Sequence, residues 1–156
     1  MTSDETSSPP CSAANASDVY MGYADAAVLV GVLNQLLEAE RAGACVARDS
    51  LADARDEAER GRIARIQRDE GHWCVMLASE IIRLGGGPTD QTGPFHAKAM
   101  AIPGIDDRLR FLNRGQAWVV RKLDEILPYV RDGRLHAVLQ DMRVGHVSNI
   151  ELMAQD

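Results

Sequence analysis

The sequence has few aromatic residues, no excess of positive charge and no long apolar run, and each absence excludes a class of protein. Aromatic residues make up 4% of the 156 residues, too few for a platform on which nucleic-acid bases stack. The net charge of −6 argues against binding a nucleic-acid backbone, because phosphates need a basic face. The most apolar stretch, residues 26–37, contains Asn34 and Gln35 and is too short to cross a bilayer about 30 Å thick. We therefore expect no nucleic-acid partner and no membrane span.

Cysteine is also scarce, and its spacing does not suit disulfides. Cys11, Cys45 and Cys74 form no CxxC motif, and an odd number cannot pair fully within one chain. We therefore expect a cytoplasmic protein. Residues 1–18 are rich in Ser, Thr, Ala and Pro and lack the apolar segment of a secretory signal. They predict a disordered tail, followed by one folded domain over residues 19–156.

What the sequence does contain is apolar residues at helical spacing. Apolar residues make up 46% of the chain, which is enough for a single core. In four segments the apolar positions recur at alternating steps of three and four residues, which is typical of a helix packed in a bundle. The four segments are approximately residues 24–48, 53–84, 105–127 and 134–153. We therefore predict four long helices.

The connections between these segments predict how the helices are arranged. Residues 49–53 and 128–133 form short connections, so the helices that they join are antiparallel neighbours. The second segment ends at the Gly-Gly-Gly-Pro sequence of residues 85–88, because glycine permits a left-handed backbone and proline cannot continue a helix. The stretch from there to Gly104 is long enough to run the length of a bundle. The sequence thus predicts an all-α, antiparallel four-helix bundle, made of two helical hairpins joined by a long crossover.

One polar residue interrupts the apolar stripe within each predicted helix. These residues are Glu40, Glu70, Gln116 and His146. Glu40 and Glu70 are 30 residues apart, with the first predicted turn near their midpoint, and Gln116 and His146 are also 30 residues apart about the second turn. Antiparallel packing therefore brings all four to similar heights. Because a buried carboxylate is costly without a partner, we predict a polar site inside the bundle.

Three segments resemble the ferritin-like superfamily. They are residues 36–43 (LLEAERAG), 69–77 (DEGHWCVML) and 112–118 (LNRGQAW). Within the superfamily, the likeness is to a group of short, uncharacterised bacterial proteins with a degenerate di-iron site. The resemblance covers residues 24–153 and implies a ferritin-like four-helix bundle with an interior metal site. In that family a Glu from each of two helices and a Glu-x-x-His from each of the other two hold the metals.

The ligand set of this chain departs from that pattern. Glu40 and Glu70 match two of the glutamates, but Trp73 stands where a His is expected three residues after Glu70. Gln116 stands in place of a Glu, and its side chain lacks the charge needed to bridge two metal ions. The fourth helix offers His146 without a Glu-x-x-His motif. The resemblance therefore implies a reduced site with two carboxylates and one imidazole.

Two interpretations of this reduced site are open. In the first, Glu40, Glu70 and neutral His146 are the ligands of one Fe, Mn or Zn ion. Three further residues are expected to surround these ligands: Gln116, Asn149 and Trp73. In the second, protonated His146 lies between the two carboxylates, neighbouring amides complete the hydrogen bonds, and no metal is bound. The first describes a metal-binding protein, and the second describes a non-catalytic helical interaction protein, for which we expect a homodimer. The sequence assigns neither a substrate nor an enzymatic activity.

Small residues near the site are predicted to have structural roles. Gly71, Gly115 and Gly145 each adjoin a polar residue of the site. Glycine inside a helix costs about 1 kcal/mol relative to alanine, so these positions indicate close contacts between helices. The alternative is that they leave room for a small molecule or water beside the polar residues. Cys45 and Cys74 are expected to be small core residues rather than nucleophiles.

Overall fold

Helices make up most of the chain in the computed structural model, which describes residue 19 and residues 21–155. The predicted tail, residues 1–18, lies outside the described residues. The helices are α1 Ala26–Ser50, α2 Glu57–Arg83, α3 Phe95–Met100, α4 Ile105–Ile126 and α5 Gly133–Met153, with no strand in the described part of the chain. Helix α1 packs along α2, and α4 packs along α5. The predicted all-α bundle of two helical hairpins is therefore confirmed. None of the described helices is long and apolar enough to cross a membrane.

Aspartate side chains determine where three of the long helices begin. Asp25 accepts a hydrogen bond from the amide of Val28 at the start of α1, and Asp132 accepts one from Leu135 at the start of α5. Such caps satisfy amides that have no partner inside the helix. Asp56 caps α2 in the same way, so α2 begins four residues later than the periodicity predicted. A 3-10 turn, Leu51–Asp53, and extended backbone at Ala54 and Asp56 precede it.

The polar level predicted from spacing separates two apolar clusters inside the bundle. The larger cluster includes Leu33 and Leu36 of α1, and the smaller includes Val46 and Ala47 of the same helix, so Glu40 lies between them. Helices α2 and α4 also contribute residues to both clusters, on either side of Glu70 and Gln116. The site is therefore closed above and below by packed apolar side chains.

The crossover between α2 and α4 is only partly extended, because it contains the short helix α3, which the sequence analysis did not predict. Six residues are too few for a recognisable apolar stripe. Polar side chains on one face of α1 hold the preceding segment. Asn34 bonds the main chain at Gly87 and Thr89, Glu38 accepts from the Thr89 hydroxyl, and Arg41 donates to the carbonyls of Thr89 and Gln91 at 2.9 and 2.6 Å. The crossover is thus fixed along α1.

Replacing Arg41 by Met should loosen this segment while keeping the apolar stem of the side chain. Two charge-assisted hydrogen bonds to carbonyls are lost, so we expect the free energy of unfolding to fall by about 1–3 kcal/mol. Amide exchange should accelerate most in residues 88–95. Urea unfolding and hydrogen exchange measure these two effects. The matched control is Arg48→Met on the same helix, where the side chain is 58% exposed and pairs with the adjacent Asp49; its cost should stay within about 0.5 kcal/mol.

Candidate metal centre

Glu40 of α1, Glu70 of α2 and His146 of α5 meet inside the bundle. Each offers one ligand atom, and these atoms all lie within 4.8 Å of one another. The three residues are 1%, 4% and 0% exposed. Gln116 of α4, 2% exposed, lies beside them. The structure therefore brings together one residue from each long helix, as the equal spacing of the two hairpins predicts.

The orientation of His146 is set by a main-chain carbonyl. Its Nδ1 lies 2.9 Å from the carbonyl oxygen of Met142, which can only accept, so Nδ1 carries a hydrogen and donates it. Its Nε2 lies 2.9 Å from Oε1 of Glu40. With Nδ1 protonated, Nε2 of a neutral ring carries a lone pair, which would face a lone pair of the Glu40 oxygen. The contact requires a second proton on the pair or a cation at Nε2.

Glu70 is placed by one amide and one glycine. The side-chain amide of Gln116 donates a hydrogen bond to Oε1 of Glu70. On the other side, the carboxylate lies directly over the backbone of α1 at Gly43. A Cβ atom at Gly43 would be 2.5 Å from both oxygens of Glu70. Any residue larger than glycine at this position would displace the carboxylate, a requirement that the sequence analysis did not identify.

The site carries more negative charge than its hydrogen bonds satisfy. Among the described residues, Oε2 of Glu40, Oε2 of Glu70 and Oε1 of Gln116 are buried without a hydrogen-bond partner. Burial, together with the charge of Glu40, raises the pKa of Glu70 well above its ordinary value. Burial lowers the pKa of His146, but the charge of Glu40 and the hydrogen bond that the imidazole donates to it outweigh burial, and the net pKa is raised. Both shifts indicate a site that takes up protons or a cation.

Two of the three residues expected to surround the ligands have other neighbours. Asn149 is fully buried. Its side-chain amide donates a hydrogen bond to Oδ2 of Asp69 at 3.1 Å, and Asp69 is not one of the three candidate ligands. Trp73 packs against α5, where a Cβ atom at Gly145 would be 3.0 Å from its ring. It therefore packs against the residue that precedes His146 on α5 and supplies bulk rather than a ligand atom. Its indole N–H is buried with no partner among the described residues.

The three glycines that adjoin polar residues of the site differ in what surrounds them. Gly115 of α4 faces Phe95, whose ring would be 2.7 Å from an added Cβ, so close packing is found there as at Gly145. Nothing lies within 4 Å of a Cβ at Gly71, so the predicted contact at that glycine is wrong.

Burial and the nearby Glu40 carboxylate raise the pKa of Cys74 to about 12. The thiol therefore stays protonated at neutral pH, as expected of a core residue.

A cavity of about 500 Å³ reaches the site from the side formed by α1, α4 and the crossover. Glu40 and Glu70 line its inner end, and Phe95, Phe111 and Trp118 contribute to its walls. From the sequence, room for a small molecule beside Gly71, Gly115 and Gly145 is the alternative to close packing, and of these three glycines Gly115 lines the cavity. A further signal is that both phenylalanines and one of the two tryptophans lie near Gly115 and the crossover.

Comparison with known proteins places the chain in a family and in a fold. Residues 27–155 match the family described as Domain of unknown function (DUF6306). A crystal structure of a ferritin-like, diiron-carboxylate protein from Bacillus anthracis str. Ames superposes with a TM-score of 0.75 at 17% identity, covering 84% of this chain and 96% of that one. No curated protein matches the sequence significantly. The fold is therefore that of the ferritin-like proteins, and the chain belongs to the DUF6306 family.

Proposed function

We propose that this protein binds one transition-metal ion, Fe, Mn or Zn, through Glu40, Glu70 and His146. The observation that carries the proposal is the group of three buried ligand atoms within 4.8 Å of one another, with an unpartnered oxygen on each carboxylate. Two carboxylates and a neutral imidazole carry a formal charge that one divalent cation would neutralise. This ligand set suits Fe, Mn or Zn.

The neighbouring residues would fix the ligands for such an ion. The carbonyl of Met142 holds the hydrogen of His146 on Nδ1 and leaves Nε2 for the metal. The amide of Gln116 holds one oxygen of Glu70 and leaves the other free. Because Gln116 is neutral and Trp73 is not a ligand, the charge and donors for a second ion are missing. A bound metal would supply Lewis-acid or redox chemistry at the inner end of the cavity.

Metal analysis of protein purified without chelator tests the proposal. We expect about one ion per chain in the unmodified protein and less than about a tenth of that in Glu40→Gln, because the amide is a poor ligand for these cations. Glu57→Gln on α2 is the matched control, since the Glu57 side chain is 95% exposed; its metal content should be unchanged. The absence of Fe, Mn and Zn from the unmodified protein, together with no thermal shift on adding them, would rule out the proposal.

The contact between His146 and Glu40 also supports a second candidate, a metal-free network. A protonated imidazole would donate to Oε1 of Glu40 at the observed 2.9 Å, and a protonated Glu70 would leave the site neutral. The polar layer would then fix the register of the helices in a non-catalytic bundle that acts through its surface. In that case Glu40→Gln changes the free energy of unfolding without changing metal content, which separates the two candidates in the same experiment.

A further inference from the structure

The cavity beside the candidate metal centre has the size and the lining of a small-molecule site. Its volume of about 500 Å³ falls within the range of about 300–1,000 Å³ typical of ligand pockets. Gly43 and Gly115 are part of its lining, and the absence of a Cβ there lets the Glu70 carboxylate and the Phe95 ring lie close against α1 and α4. The crossover closes one side, and α1 and α4 form the others.

The walls of the cavity favour a flat apolar body. Phe95 and Phe111 stack with their ring centres 4.7 Å apart and nearly parallel, at an interplanar angle of 19°. Trp118, one to two turns further along α4 from Phe111, lines the same cavity together with Leu112. Three aromatic side chains in a protein with 4% aromatic residues are thus concentrated around one cavity. Aromatic surfaces of this kind bind planar rings by stacking and by burial of apolar area.

The outer part of the cavity carries positive charge that the protein does not neutralise. Arg114 and Arg121 of α4 both line it and are exposed, and neither forms an ion pair among the described residues. The Arg114 guanidinium lies over the Phe111 ring, 5.4 Å from its centre. Glu38 also lines the cavity, but its Oε1 is engaged by the Thr89 hydroxyl. Two guanidinium groups against one carboxylate leave a net positive rim.

We propose that this cavity binds a small organic acid with a flat apolar body. The acid group lies at the rim, where Arg114 and Arg121 attract it, and the ring lies among Phe95, Phe111 and Trp118. The inner end carries no net charge, whether a metal ion or protons neutralise Glu40 and Glu70, so the positive rim sets the orientation of the acid group. The opposite end of the ligand therefore points towards Glu40 and Glu70. The proposal rests on the proposed metal site in one respect only, the group that the inner end of the ligand contacts. Binding itself depends on the aromatic walls and the charged rim.

Titration with 2-naphthoate and its neutral amide, 2-naphthamide, tests the proposal. Calorimetry follows binding, in protein as purified and in protein treated with chelator. We expect 2-naphthoate to bind with a Kd on the order of 10–100 µM and 2-naphthamide to bind about tenfold more weakly. Added salt should weaken only the acid, because charges at an exposed rim are screened.

Variants of the rim and of the wall locate the ligand. Arg114→Gln and Arg121→Gln should each weaken 2-naphthoate by roughly 3–10-fold and leave 2-naphthamide unchanged. Arg110→Gln is the matched control, because Arg110 is exposed on the same helix, lies outside this cavity and pairs with Asp107. Ala39→Leu, which adds volume inside the cavity, should abolish binding of both compounds. The arginine variants test the site even if Ala39→Leu unfolds, since both arginines are exposed.

The proposal is overturned by the absence of saturable binding in both forms of the protein. It is also overturned if acid and amide bind equally and the two arginine variants match Arg110→Gln, or if a folded Ala39→Leu binds both compounds normally. Binding of 2-naphthoate to chelator-treated protein supports it whatever the metal analysis finds. Conversely, a full complement of metal in protein that binds neither compound would sustain the metal site and exclude the organic acid.

Discussion

Replacing Gly43 by Ala is expected to abolish metal binding while leaving the bundle folded. The added Cβ would meet both oxygens of the Glu70 carboxylate at 2.5 Å, so the carboxylate must leave its position beside Gln116. The atoms that move belong to the end of a flexible side chain. The change in the free energy of unfolding should therefore stay within about 2 kcal/mol, part of it offset by the better helix propensity of Ala. Metal affinity should fall by at least about 100-fold, as for loss of a ligand or its support.

Gly71→Ala is the matched control for this experiment. Gly71 adjoins Glu70 on α2, yet nothing lies within 4 Å of an added Cβ there. The variant should bind metal normally and be more stable by up to about 1 kcal/mol. Metal titrations and urea unfolding of the two variants measure both quantities. Equal metal affinity in Gly43→Ala and Gly71→Ala would mean that the carboxylate of Glu70 is not a ligand in its present position.

Replacing Glu70 by Gln is expected to remove a pH-dependent loss of stability from the metal-free protein. The folded pKa of Glu70 is raised by burial and by Glu40, above an unfolded value of about 4.3. Between these two values the folded protein holds a proton that the unfolded chain has released. The stabilisation is thus complete below the unfolded pKa and is lost as pH rises through the folded pKa. His146, whose pKa is also raised, acts in the same direction, from about 6.5 upwards.

In chelator-treated protein the free energy of unfolding should therefore fall as pH rises, and Glu70→Gln should flatten the fall. At pH 9 we expect the variant to exceed the unmodified protein by about 1–3 kcal/mol, since it buries no charge at this position. Added Zn or Mn should restore the unmodified protein at high pH and have no effect on the variant. Glu57→Gln, altered at an exposed position on the same helix, should retain the original pH profile. Parallel profiles for Glu70→Gln and the unmodified protein would show that Glu70 is ionised in the folded state throughout.

The sequence alone predicts the four helices and places four polar residues at a common height: Glu40, Glu70, Gln116 and His146. Apolar residues at alternating steps of three and four residues lie on one face of a helix. A short turn between two such helices makes them antiparallel neighbours. The equal separations within the two hairpins then determine which polar side chains meet. Interrupted apolar stripes further predict burial, because the neighbours of each polar residue along its stripe must face the core. These relations are periodic and local, so no contact between distant segments was needed to derive them.

Other features of the site depend on distances between individual atoms that no periodicity encodes. The place of Asn149 is an example: its stripe position predicts burial, yet its amide donates to Asp69 rather than to the ligands. The tautomer of His146 follows from the carbonyl of Met142, and the need for glycine at position 43 follows from the carboxylate of another helix. Each is settled by tenths of an ångström between individual atoms.

The cavity shows the same division most clearly. Its walls come from α1, α4 and a crossover whose path depends on Asn34, Glu38 and Arg41. The residue order established that two carboxylates and an imidazole lie inside a bundle of this kind, because helix period and hairpin length are enough for that. Packing between segments far apart in the chain determined that the carboxylates face a cavity and which charged side chains lie at its rim. Volume between helices is a property of three-dimensional packing, and a one-dimensional pattern of apolar residues does not specify it.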